Sequence, residues 1–204
     1  MSTLTETPKP YRPHEPPIGA IDNRRGTAGM LLFIATEAFL FIILFFAYFY
    51  LARGGWRWLA EEPPKLRMAL IMLATLLTSS VVLGWGEKQV KARRYGSARA
   101  ALLLTILIGL GFLVLQYVEY SNHLKELTPR TNVYGSIFYT ITSFHALHVI
   151  VGLLILCFVL ALPRFEPVDR PPFRPFHNAA MYWHFVDFVW IWIVAFLYVA
   201  PNIR

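Results

Sequence analysis

Cysteine is nearly missing from this chain: Cys157 is the only one in 204 residues. That excludes an internal disulfide, a cysteine cluster for metal and a Cys-x-x-Cys-His haem attachment. Set in the middle of an apolar run, Cys157 reads as a small buried hydrophobe rather than a reactive thiol. Charge is also sparse, at 15% of residues, and acids are the scarcer sign: 12 Asp plus Glu against 19 Lys plus Arg. A net charge of +7 and a pI of about 9.7 would suggest nucleic acid in a soluble domain. Here the basic residues lie between apolar runs, with no basic, aromatic-interleaved soluble face, so no nucleic-acid partner is expected. A Gly-rich phosphate loop, a Ser-His-Asp constellation and the interrupted helices of many transporters are absent too.

Apolar residues are plentiful. Hydrophobic residues make up 56% of the chain and aromatics 16%, and the mean hydropathy is +0.49. Those figures point to a polytopic membrane protein. A spanning helix needs roughly 20 mainly apolar residues, and five stretches qualify: 27–51, 68–86, 100–118, 135–161 and 179–200. None shows the period-two alternation of barrel strands. The expected fold is all-α, a bundle of five transmembrane helices in one domain, residues 27–204. Ahead of it, residues 1–26 form a Pro-rich arm, with prolines at 8, 10, 13, 16 and 17, expected to be extended. No apolar signal core precedes a cleavage site, so the first span is expected to be retained.

Lys and Arg set the orientation. The arm, second and fourth connections carry 12 of them, and the other side carries 7. The positive-inside rule then puts the N-terminus in the cytoplasm and the C-terminus outside. Arg53, Arg57, Lys88, Arg93 and Arg94 are candidate contacts for lipid headgroups.

Ionisable residues inside apolar spans are costly and mark functional or packing sites. Glu37 sits in the first span, followed by the aromatic-rich run 39–50. In the third, Gln116, Glu119 and His123 make a polar stripe, with Glu119 expected near the membrane edge as a solvated carboxylate. In the fourth, Tyr139, Thr142, His145 and His148 share a face. In the fifth, His184, Asp187, Phe188 and Ile191 share another, and two readings of Asp187 stay open: it accepts from an imidazole on a neighbouring helix, or it stays protonated because desolvation raises a carboxyl pKa. Each of these residues also has a plain reading as an interhelical hydrogen-bonding group. Thr75, Thr78, Ser79, Gly84 and Gly86 suggest a small-residue packing face in the second span. Two further readings stay open on the residues alone: a haem b held by His145 or His148 with His184, and a small transporter using Glu37 as its coupling carboxylate.

Four ordered segments resemble a known family. They are Leu32-Phe-Ile-Ala-Thr-Glu-Ala-Phe39, Leu115-Gln-Tyr-Val-Glu-Tyr120, Tyr134-Gly-Ser-Ile-Phe-Tyr139 with Phe144-His-Ala-Leu-His-Val149, and Trp183-His-Phe-Val-Asp-Phe-Val-Trp190. Together they resemble subunit III of the haem-copper terminal oxidases in its five-helix bacterial form. The resemblance implies a chain with no catalytic centre and no cofactor of its own, haem and copper residing in partner subunits. It implies packing against subunits I and II, bound phospholipid in a cleft between helices, and support of proton uptake and stability during oxygen reduction. Cytochrome c would be the electron donor of the complex, a respiratory supercomplex a wider setting, and the bacterial cytoplasmic membrane the location. Glu37, Gln116, Glu119, His145, His148, His184 and Asp187 match the family's buried polar positions. Subunit III of a quinol oxidase and an accessory protein of nitric oxide reductase are the neighbouring alternatives. The longer family form has two further N-terminal spans, so the lipid cleft is expected to be built differently here.

Overall fold

The computed structural model describes residues 18–53, 66–123, 133–162 and 173–203. The arm up to residue 17 and the candidate Arg57 lie outside the described residues. The helices are α1 (Ile18–Ala52), α2 (Leu66–Lys91), α3 (Tyr95–His123), α4 (Val133–Ala161) and α5 (Phe173–Ile193). A π-helical segment, Val194–Val199, continues α5 into the short α6 (Ala200–Ile203). Among the described residues there is no strand, and five helices are long and apolar enough to cross a membrane.

The helices outrun the apolar stretches because polar ends continue the backbone hydrogen bonding into the boundary region. α1 begins at Ile18, so residues 18–26 of the expected extended arm are helical. α5 starts at Phe173 rather than near 179, with Pro175 in the first turn, where its missing N–H costs no helical bond. His177, expected in a connection, is therefore a helical residue.

α2 and α3 form an antiparallel hairpin and are the most extensively packed pair. The turn between them is a Schellman cap. Arg94 N donates to Gln89 O at 2.9 Å and Arg93 N to Val90 O at 3.0 Å. Arg93 occupies the left-handed position of that cap, with φ 58°, where glycine would be the unstrained choice. Gly86 is needed for the hairpin in another way: a Cβ there would lie 2.7 Å from that of Ala101.

α5 is the central helix, packing on α4, α2 and α1, while α1 packs on α5 and α4 at the periphery. Trp183 is the buried pivot of α5. Its indole sits over two glycines, since a Cβ on Gly109 would come within 2.7 Å of it and one on Gly152 within 2.9 Å. Its Nε1 donates to Ser79 Oγ of α2 at 2.8 Å. Close backbone approach through small residues, with an interhelical hydrogen bond, is how helices associate in lipid. The small-residue face expected in α2 narrows to Ser79 and Gly86. Thr75 and Thr78 turn their hydroxyls back to the carbonyls of Ile71 and Ala74, and Gly84 has no close neighbour.

The π segment widens the hydrogen-bonding pattern of α5 and leaves carbonyls for other donors. Tyr48 of α1 donates to Phe196 O at 2.8 Å and Tyr134 of α4 to Leu197 O at 2.7 Å. Two tyrosines thus pin the end of α5 to both neighbours. The outer surface is apolar, with Leu32, Phe39, Ile42 and Phe46 of α1 turned outward, as a helix facing hydrocarbon requires. Cys157 also faces outward, which corrects its reading as a buried hydrophobe: a thiol of this size meets no penalty against lipid.

Candidate functional site

The polar residues of the spans gather in three places. The first joins α1 to α4. Glu37 Oε2 lies 2.9 Å from His148 Nε2, and His148 Nδ1 lies 2.6 Å from Phe144 O, one turn back on α4. A carbonyl only accepts, so Nδ1 carries a hydrogen and donates to it. The Glu37–His148 contact then holds one proton. Either the carboxylic acid donates to neutral Nε2, or the imidazolium donates to the carboxylate. The pair is neutral in both forms, so neither leaves an unpaired buried charge. Phe41 packs edge-on against the imidazole at 4.8 Å, and Tyr182 OH donates to His148 O at 3.4 Å. The Glu37 side chain keeps 24% exposure against 8% for His148. That open side gives the carboxyl a route to surrounding lipid or to a partner chain.

The second place joins α2 to α5. Ser80 donates to Asp187 Oδ2, and Ser80 Oγ lies 2.7 Å from His184 Nδ1. A hydroxyl has one hydrogen, here given to the carboxylate, so His184 Nδ1–H donates to the serine oxygen. The partner of Asp187 on the neighbouring helix is thus a serine, not the expected imidazole; the imidazole comes from its own helix through that serine. Asp187 is buried while His184 faces outward, because residues three apart straddle the edge of the packed face. Ser80 escaped the sequence reading because one hydroxyl in a Thr-Ser-Ser run carries no periodic signal.

The third place lies where α3, α4 and α5 meet. His145 is fully buried, stacked on Trp190 with ring centroids 4.8 Å apart and edge-on to Phe112 at 5.8 Å. Gln116, one turn along α3 from Phe112, is buried, and so is Glu119. Glu119 was expected to be solvated at a membrane edge; it is buried instead. Nearby, Tyr120 OH meets Thr142 Oγ1 at 2.7 Å and Ser143 Oγ at 3.1 Å, tying α3 to α4. The side chain of His123 lies outside the described residues.

His145 and His148 therefore part company: one faces the α3–α5 junction, the other α1. Each of His145, His148 and His184 sits in a different contact, against Trp190, Glu37 and Ser80 respectively. Among the described residues, no group of three or more His, Cys, Asp and Glu is arranged to hold a metal ion. Of the basic candidates, Arg53 stands exposed just past the end of α1, while Lys88, Arg93 and Arg94 stand exposed around the α2–α3 turn. One polar cluster there went unread: Glu87 pairs with Lys91 at 3.2 Å and His177 at 3.1 Å.

The profile of the family described as cytochrome c oxidase subunit III matches residues 23–201. Among curated relatives, "Cytochrome c oxidase subunit 3" of Coturnix japonica is 37% identical over 180 residues, covering 83% of this chain and 67% of the quail protein. The Homo sapiens protein of the same name is 35% identical over 196 residues, covering 91% of this chain and 72% of its own length. That of Rhipicephalus sanguineus is 31% identical over 182 residues. With five membrane-capable helices and a match along nearly all of them, the chain is a multi-pass membrane protein and belongs to the cytochrome c oxidase subunit III family.

Proposed function

We propose that this chain is subunit III of a respiratory cytochrome c oxidase, in the five-helix form of a bacterial cytoplasmic membrane. In this reading it is a non-redox subunit of an oxygen-reducing oxidoreductase complex. It packs on subunits I and II, which hold the haem and copper, and cytochrome c supplies the electrons. Family membership and the relatives' names support its place in such a complex. The apolar outer surface of α1 offers a seat for a partner subunit or for phospholipid. The excess of Lys and Arg on one side favours a cytoplasmic N-terminus.

The observation that carries the proton-supporting role is the Glu37–His148 pair. It is a one-proton, net-neutral unit within a span, open on the glutamate side and backed by a carbonyl on the histidine side. Such a unit can pass its proton between glutamate and histidine while remaining net neutral in hydrocarbon, which suits a group held beside a catalytic partner.

Two measurements on the complex purified through this chain test the reading. Haem bands should travel with the larger partners and vanish when the chain is stripped free; haem kept by the stripped chain would overturn the non-redox assignment. Glu37→Gln should leave the subunit pattern intact while shortening the number of turnovers completed before inactivation. Unchanged turnover stability in a fully assembled variant would remove Glu37 from proton support.

A further inference from the structure

Between α2 and α3, on the outer face of the hairpin, runs a groove of about 360 Å³ lined by Val81, Val82, Trp85, Ala100, Ala101 and Leu104. Its lining is apolar throughout. The alanines of α3 lower its floor, while Trp85 and Leu104, each about half exposed, raise its rims. Neither helix packs substantially on α1, so the groove is separate from the Glu37–His148 pair.

One end of the groove meets the basic turn of the hairpin. Trp85 lies one helical turn from Lys88, and an indole at that level marks the boundary between hydrocarbon and headgroups. From Gly86 to Arg99 the chain carries five basic residues and one acid, Glu87. That acid is engaged by Lys91 and His177. Lys88, Arg93 and Arg94 remain exposed around the turn. Arg93 adds an independent observation: it holds the left-handed cap position at φ 58°, where a side chain is strained and glycine is not. An arginine where glycine would be unstrained is accounted for by a use for its guanidinium.

We propose that the α2–α3 hairpin binds one anionic phospholipid, with an acyl chain in the groove beside Trp85 and the phosphate held by Lys88, Arg93 and Arg94. This rests on the reading of the chain as a lipid-binding membrane subunit and names a particular site and headgroup charge for it. A narrow apolar trough ending in cations matches the two halves of such a lipid. A partner helix would need to leave those cations unanswered or bring acids of its own.

The test uses the complex purified through this chain, in nanodiscs of equal phosphatidylglycerol and phosphatidylcholine. Either lipid carries a photoreactive diazirine in its acyl chain in turn, and crosslinks are mapped by mass spectrometry. The phosphatidylglycerol probe should label the segments around Val81–Trp85 and Ala100–Leu104 more than the phosphatidylcholine probe does. Ala100→Leu, an exposed position that fills the trough, should abolish that labelling. Arg93→Gly should lower phosphatidylglycerol labelling by ~3- to 5-fold, the effect of one basic residue at an anionic surface, while raising the melting temperature of the complex by relieving the cap. A merely structural Arg93 would leave the labelling unchanged. Equal labelling by both probes overturns the headgroup assignment. Labels confined to the Glu37 region overturn the hairpin site but keep the general lipid reading. No label anywhere on the chain defeats both, and a hairpin shielded by a partner subunit counts in the same way against the site.

Discussion

α1 is more apolar than α5, yet only 6% of its spanning stretch is buried inside the chain, against 56% for α5. In water the order would be reversed, because apolar area drives burial there. In hydrocarbon that drive is absent between helices, and packing and hydrogen bonds decide who is inside. α5 earns the centre through Trp183 over two glycines, the Ser80–Asp187 bond and the π segment gripped by two tyrosines. α1 keeps most of its aromatics outward and enters the bundle at few points, chiefly Glu37, Phe41 and Tyr48.

The contrast predicts a graded response to substitution. The largest effect belongs to the α5 pivot. Gly109→Leu drives a side chain into Trp183 and Leu153, which a Cβ alone would already approach within 2.7 and 2.8 Å. The folded chain should be lost, read as the disappearance of the complex from a native gel; a normal band would mean that the pivot can move aside. Next comes Asp187→Leu, which removes the acceptor for Ser80 in a dry site and should weaken the bundle by ~1–3 kcal/mol. A thinner native-gel band and a lower melting temperature are expected, and an unchanged band would show that Asp187 works unpaired.

Tyr48→Phe sharpens the comparison, because it cuts one of the few ties of α1 to α5. Loss of the hydroxyl donor to Phe196 O should cost ~1 kcal/mol, seen as faster proteolysis of α1 with α5 still protected. Equal loosening of both helices would mean that α1 is no separate unit. On α1, Glu37→Gln should leave assembly close to wild type, since a neutral amide replaces half of a neutral pair; loss of the complex would place Glu37 in the framework rather than the periphery. The smallest effect is expected from Phe46→Ala, on the outer face at 71% exposure. It should shift the chain's own melting temperature by an amount equivalent to no more than ~0.5 kcal/mol. A large shift would show that this face is already packed in the isolated chain.

Much of the fold was legible because the signals were local. Five long apolar runs specify five helices whatever their neighbours, since unsatisfied backbone groups are too costly in lipid to allow anything else. The resemblance of four ordered segments pointed to the family for the same reason: a motif is a property of adjacent residues. Helix ends were less legible, because Glu87 to Lys91 look like a connection until the backbone continues the helix through them.

The buried candidates were visible as polar groups in or beside apolar spans, but their partners were not. Residues 37 and 148 are brought together by the crossing of α1 and α4, which no spacing encodes. The serine that serves Asp187, the burial of Glu119 and the parting of His145 from His148 depend on which helix faces which. The sequence by itself determined that the chain spans a membrane five times and carries a fixed set of polar groups within it. Only the tertiary structure decided which of those groups share a proton, which hold helices together and which look outward. Hydropathy acts on each segment alone, whereas a hydrogen bond between helices exists only once both have been packed.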